Sequence, residues 1–308
     1  MYIGVDLGGT NLKVGVINDD GKILYLKYLP TNAAEGKEYV IKNIHKQIYL
    51  AIKKFRKTKA IGIGIPGIVS KGIVKVAPNL TGWENVPIQQ IIATKYDLPV
   101  AVDNDANTAA LAELELGAGK NSQNFIYITL GTGVGGAIII NREIFRGDYG
   151  GAGEIGHIII DATNKISNEK QYRTGILEEF IGKNQITEFA REFIKNKPDT
   201  ILHNYAKLDP YFISEAIERK DKIAIEIYKL IGYYLGIGLT NVMNILDIRL
   251  VIVGGGLSLS HPILFQFAKE TIAIRAMPSV AENFEIKQAH FLKDAGIIGA
   301  GLLGKRYL

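Results

Sequence analysis

Two similar α/β domains facing one another, with ligands at the strand ends between them, are predicted for this chain of 308 residues from three observations. In Tyr127 to Asn141, YITLGTGVGGAIIIN, a β-rich run breaks on Gly131, Gly133, Gly135 and Gly136 and then resumes, which predicts strand, glycine turn, strand. Ile3 to Asn18, IGVDLGGTNLKVGVIN, has the same grammar, with Gly8, Gly9 and Thr10 at the turn. Each hairpin is followed by a helical segment and by a short strand that stops on glycine, and this order used twice reads as one supersecondary unit repeated.

The turns carry the chemistry. Glycine takes positive φ cheaply and lets a ligand lie against the backbone, and successive bare N–H groups form a concave anion site suited to phosphate. A dinucleotide fold or a P-loop would start a helix at such glycines, but Ala137 to Ile140 is strand-forming and no GK[ST] ending follows, so both are disfavoured.

Along the chain, Gly36 to Phe55 has helical spacing, with Val40, Ile44, Ile48 and Ile52 four apart. The basic run Lys53 to Lys59 ends that helix and complements its dipole, so the net charge of +5 is read as a solvated face and not as a nucleic-acid surface. Lys59 to Gly67 is a buried strand ending at Pro66 and Gly67. Pro78 to Trp83, PNLTGW, is a turn with the only tryptophan. Leu98 to Glu113 is a strand running into an alanine-rich helix, for which Asn104 or Asp105 could serve simply as the cap. The polar loop Gly117 to Asn124 is the expected crossing between domains. Gly150 to His157, GGAGEIGH, puts Glu154 and His157 three apart after a glycine run. A helix from about Ile223 to Leu246 contains the longest apolar tract, which Tyr233, Tyr234, Thr240, Asn241 and Asn244 interrupt, so it reads as a buried helix and not a membrane span. Ile248 to Gly256 is again a strand stopping on glycine, and Gly254 to Ser258 is expected to open a helix whose backbone donors hold a nucleotide. Taken singly, these segments fit surface turns, helix caps and a satisfied histidine as well as they fit a site.

With 47% hydrophobic and 22% charged residues, the chain has material for two soluble cores. The absence of cysteine excludes disulfides, thiolate catalysis and a cysteine-ligated metal. No secretory signal precedes the first strand, and a cytoplasmic location is the default expectation.

Together and in this order, DLGGTN (Asp6 to Asn11), PNLTGW, DNDAN, TLGTGVGG (Thr129 to Gly136), GGAGEIGH, IVGGGLS and DAGIIGAG (Asp294 to Gly301) resemble the ROK family of sugar kinases and repressors, from Ile3 to about Gly301. The resemblance implies the actin/hexokinase/Hsp70-type ATPase fold, two ribonuclease H-like domains with a ligand cleft between them, divided as 1–117 with 295–308 and 118–294. It implies sugar-binding roles for Gly67, Asn79, Asn104, Asp105, Glu154, His157 and Glu178, with Asp105 as general base, kept ionised at a helix N-terminus. Gly8, Gly9, Thr10, Asn11, Gly131, Thr132 and Gly133 would face the phosphates of ATP, Gly254, Gly255 and Gly256 the adenosine, and Asp6 the magnesium ion through water. The neighbouring Asp103 is expected to matter much less. One departure is plain. Where the family commonly carries a CxCGxxGC cluster whose zinc is shared with the EIGH histidine, Ser167 to Glu178 has no cysteine, so no zinc is expected.

The implied activity is an ATP-dependent hexose kinase, a glucokinase or hexokinase, acting on the sugar 6-hydroxyl. An N-acetylhexosamine kinase and a fructokinase are the alternatives within this chemistry. A sugar-responsive repressor would need a DNA-reading helix-turn-helix ahead of the first hairpin, and the hairpin starts at Ile3. No nucleic-acid or membrane partner is expected, and the resemblance implies a dimer or tetramer.

Overall fold

The computed structural model describes residues 1–163 and 173–308. The first hairpin is β1 (Tyr2–Leu7) and β2 (Asn11–Ile17), extended by β3 (Ile23–Pro30) and followed by α1 (Lys37–Lys54) and β4 (Ala60–Ile65). A small antiparallel sheet of β5 (Ile68–Ser70), β6 (Ile73–Val76) and β7 (Glu84–Val86) leads to α2 (Ile88–Ala93), β8 (Val100–Asn104) and α3 (Asp105–Glu115). The second hairpin is β9 (Phe125–Leu130) and β10 (Val134–Ile140), followed by β11 (Glu143–Phe145). Next come α4 (Glu178–Ile181), α5 (Lys183–Ile194), α6 (Pro210–Glu218) and α7 (Lys222–Leu246). The chain closes with β12 (Leu250–Gly254), α8 (Ile263–Arg275), α9 (Pro278–Ala281), β13 (Glu285–Gln288) and α10 (Ala295–Arg306).

The repeat expected from the sequence is present in the topology. One sheet has the order β3-β2-β1-β4-β8 and the other β11-β10-β9-β12-β13. The first sheet is antiparallel from β3 to β1 and parallel from β1 to β8, and in the second β11 and β10 are antiparallel while β9, β12 and β13 are parallel. Two compact units result: Met1–Gln123 with Ala137–Gly153 and His290–Leu308, and Asn124–Gly136 with Glu154–Ala289. The chain therefore passes between units at four places, where the expected division has two, and Ala137–Gly153 groups with the first unit.

In the first unit, β4 is buried along its whole length, because α1 covers one face of the sheet and α10 the other. Val40, Ile44, Ile48 and Ala51 make the apolar stripe of α1, and Lys53 and Lys54 occupy its last turn. Trp83, at the end of the PNLTGW turn, is buried in the same core. On the other face the helix backbone itself touches the sheet: a Cβ at Gly4 would collide with the Ile297 carbonyl, and one at Gly62 with the Ala300 carbonyl. Gly299 is pressed in the same way against the Thr108 carbonyl of α3.

In the second unit α7 is the core helix. Asp221 caps it by accepting from the Ala224 N–H, and Ile227, Ile231, Leu235, Leu239 and Met243 are buried. It is long and apolar enough by composition to cross a membrane, yet more than half of its most apolar window is buried within the protein. Gly254 to Ser258 does not open an α-helix. A 3-10 turn covers Gly256–Leu259, and α8 begins only after Pro262.

Gly299→Ala sets two effects against each other. In an exposed helix interior the change would add about 1 kcal/mol of stability. Here the new methyl must push α10 off α3, so a net loss of about 1–3 kcal/mol is expected by denaturant unfolding. A variant as stable as the parent would show that the close approach is not a constraint.

Candidate active site

In the first unit the turn after β1 is closed by the Gly8 N–H, which donates to the Asn11 carbonyl at 2.8 Å, while the Thr31 hydroxyl donates to the Gly8 carbonyl at 2.6 Å. Asp6 and Lys13 are cross-strand partners, and the Lys13 ammonium lies 2.8 Å from the Asp6 carboxylate. Burial works to lower the Lys13 amine, but the charge and hydrogen bond of Asp6 outweigh it and hold Lys13 above its ordinary value. Asp6 itself lies over Gly296, at the start of α10. The acid of this turn thus already accommodates a cation, so the residues fit the magnesium role expected of Asp6. Asn79 packs on the same turn, since a Cβ at Gly9 would come 3.1 Å from the Asn79 Cβ.

The β8–α3 junction is fixed with more polar contacts. Asn104, not Asp105, is the helix cap: its Oδ1 accepts from Ala106 N at 2.8 Å and Asn107 N at 3.2 Å. Its Nδ2 donates to the Gly67 carbonyl at 2.9 Å, and Gly67 has a φ of 103°, with the Val76 carbonyl where a Cβ would be. Asp105 is the first residue of α3, with Oδ1 2.9 Å from the Ala106 N–H. Beneath them the buried Asp103 accepts from the Asn104 N–H and the Asn107 amide, each at 2.8 Å, and from Arg146 Nε at 3.0 Å and Nη2 at 2.7 Å. The sequence contains no signal for Arg146, which lies 43 residues away in the chain.

In the second unit the glycine turn after β9 is closed by the Gly131 N–H, which donates to the Gly133 carbonyl, and the Lys183 N–H at the start of α5 donates to the Gly131 carbonyl. A Cβ at Gly131 or Gly256 would meet no protein atom within 4 Å, and both line a cavity of about 660 Å³ together with Thr132, Lys183, Tyr211 and Ser214. Sequence reasoning missed the α6 contribution to this cavity, because Asp209 and Pro210 mark a helix start and nothing more. The glycines are also explained differently from the expectation. None of Gly8, Gly9, Gly131 and Gly133 has positive φ; Gly255 does, at 80°. At Gly133 the reason is close approach, since a Cβ there would collide with the Glu178 carboxylate.

Glu178 accepts from the Val134 N–H at 2.8 Å and pairs with Arg173. Gly156, between Glu154 and His157, lies where a Cβ would strike the Val134 carbonyl, so the EIGH segment and Glu178 both sit at the start of β10. Glu154 is open to solvent, but the surrounding protein displaces enough water to lift its carboxyl above the ordinary value; His157 opposes that shift and Glu178 adds to it. The chain has no cysteine, and among the described residues no group of three or more His, Asp and Glu side chains could hold a metal. Ser167 to Tyr172 of the expected zinc loop lie outside the described residues.

Two outcomes follow from this geometry. Metal analysis after dialysis against chelator should show zinc far below one per chain, and stoichiometric zinc would contradict the donor set. Asp103→Asn, expected from sequence to lower kcat much less than Asp105→Asn, should lower unfolding stability by about 1–3 kcal/mol, because Arg146 loses its charged partner at a buried carboxylate. Unchanged stability would show the pair to be incidental.

The ROK family model matches residues 2–306. A glucokinase from Halalkalibacterium halodurans is 35% identical, over 99% of this chain and 95% of its own. A xylose repressor from Caldicellulosiruptor bescii is 30% identical over 96% of this chain and 75% of its own. The structure of a ROK family glucokinase from Streptomyces griseus in complex with glucose and AMPPNP superposes with a TM-score of 0.80 at 28% identity, covering 99% of both chains. With two α/β units of actin-like ATPase topology and a match along nearly its whole length, this chain belongs to the ROK family.

Proposed function

We propose that this chain is an ATP-dependent sugar kinase that transfers the γ-phosphoryl group to the 6-hydroxyl of a hexose, glucose first among them, with Asp105 as general base. The observation that carries the reading is the β8–α3 junction, where a carboxylate is held at the first position of a helix by the Asn104 cap and the buried Asp103–Arg146 pair. A base must be rigidly placed to take a proton late in phosphoryl transfer. The relatives support the substrate class, through the glucokinase at 35% identity and the glucose complex at 28%.

By resemblance, sugar-binding roles fall to Gly67, Asn79 and Asn104 in the first unit and to Glu154, His157 and Glu178 in the second. The Asn104 oxygen is committed to the helix cap and one amide hydrogen to Gly67, so it offers the sugar a single remaining N–H. The backbone at Gly8 to Asn11 and at Gly131 to Gly133 faces the phosphates, and Gly254 to Gly256 with the 660 Å³ cavity takes the adenosine. Asp6 would hold the magnesium ion through water, and that ion would neutralise charge on the phosphates. As ATP and its metal bind, Lys13 has to share the Asp6 carboxylate.

ADP release measured with glucose, mannose, fructose, allose, N-acetylglucosamine and N-acetylmannosamine tests the assignment. Glucose or a close epimer should give the highest kcat/KM. A preference for an N-acetylated sugar would replace the substrate, and no sugar-dependent ADP release would overturn the kinase reading. Asp105→Asn should lower kcat by about 10²–10⁴ with little change in sugar affinity, the usual worth of a positioned base. Near-native kcat would return Asp105 to a structural role at the helix start.

A further inference from the structure

We propose that Arg173 is the positioning residue that aims Glu178, so that an ion pair does here what zinc would do in relatives with the cysteine cluster. The inference rests on the reading that Glu178 meets the hexose. The described residues do not fit a zinc site, yet the segment carrying Glu178 is firmly clipped. The Gly175 carbonyl accepts from the N–H groups of Ile160 at 2.9 Å and Asp161 at 3.1 Å, and its own N–H donates to Glu179 at 2.9 Å. The Leu177 N–H donates to the Ile158 carbonyl at 2.9 Å, and Ile159 and Ile176 form an antiparallel bridge. Gly175 has a φ of 74°, and the Asp161 carbonyl occupies the place of its missing Cβ.

These backbone contacts fix where residue 178 begins but not where its carboxylate points. Two contacts do that: the Val134 N–H on one oxygen and the Arg173 guanidinium on the other. The pair is mostly withdrawn from water, with 27% of the Arg173 side chain and 16% of the Glu178 side chain exposed. A cation paired with Glu178 also offsets its repulsion with Glu154, which feels the charges of both His157 and Glu178. Without Arg173, Glu178 would keep one neutral donor and an acidic neighbour, and would be free to swing off the Val134 N–H. Charge and reach are what the role demands, so lysine should restore part of it.

Calorimetric titration of glucose and, separately, of AMPPNP into the wild type, Arg173→Met and Arg173→Lys tests this. Arg173→Met should weaken glucose binding by about tenfold, the worth of one charge-assisted hydrogen bond at a partly buried site. AMPPNP affinity should stay within about twofold, and the KM for glucose should rise more than kcat falls. Arg173→Lys should recover part of the affinity, and dialysis of the wild type against chelator should leave its glucose affinity unchanged. If Arg173→Met does not fold, the lysine variant and the chelator arm decide. Glucose affinity equal to the wild type in Arg173→Met, a lysine variant no better than methionine, or loss of wild-type affinity after chelation would each overturn the proposal. A wild type that binds no hexose would remove the kinase reading along with it, whereas intact binding in Arg173→Met removes this inference alone.

Discussion

The backbone of α10 lies directly on two strands and a second helix, and most of the first unit's chemistry depends on that contact. Side chains normally keep a helix roughly 10 Å from a sheet or a neighbouring helix. Here Gly4 and Gly62 on the strands and Gly299 on the helix remove them, so carbonyl oxygens rest where Cβ atoms would be. The same helix begins beneath the Asp6 carboxylate and presses on the Thr108 carbonyl of α3, whose first residue is Asp105. One rigid element therefore touches both the acid at the first glycine turn and the helix that carries Asp105. A helix held by long side chains would let these two groups drift separately.

A second theme is that three acids are each held by a cation, two by a residue nearby in the chain and one, Asp103, by a residue 43 positions away. Asp6 has Lys13, Asp103 has Arg146 and Glu178 has Arg173. Asp103 is the most deeply buried of the three and is saturated by four hydrogen bonds, so its part is structural although it sits two residues from Asp105. Asp6 and Glu178 keep partial solvent access. Ion pairs hold both carboxylates, and at Glu178 the Val134 N–H adds a backbone donor.

Much of the architecture was legible in the sequence because it follows from local periodicity. The hairpin, helix and glycine-ended strand recur in both halves, and both sheets have the same strand order. α1 and α7 fall within a residue of their expected ends at most boundaries, since apolar spacing and charged or capping residues mark them. Other features depend on what packs against a residue, which no local pattern encodes. The glycines at 131 and 133 read as positive-φ positions but serve an open cavity wall and a close carboxylate. Asn104 and Asp105 read alike as caps from local sequence, and the structure separates them because the Asn104 oxygen accepts from the Ala106 and Asn107 N–H groups. The partners Arg146 and Arg173, and the α6 wall of the cavity, carry no motif at all.

The account turns on one bond, between the γ-phosphorus of ATP and the oxygen on C6 of a hexose. Phosphorus and carbon NMR of the product formed from ATP and uniformly ¹³C-labelled glucose reads that bond directly. The account predicts a single phosphate monoester whose phosphorus couples to C6, with ADP formed in equal amount. Coupling to C1 instead, or inorganic phosphate with unmodified sugar, would contradict it.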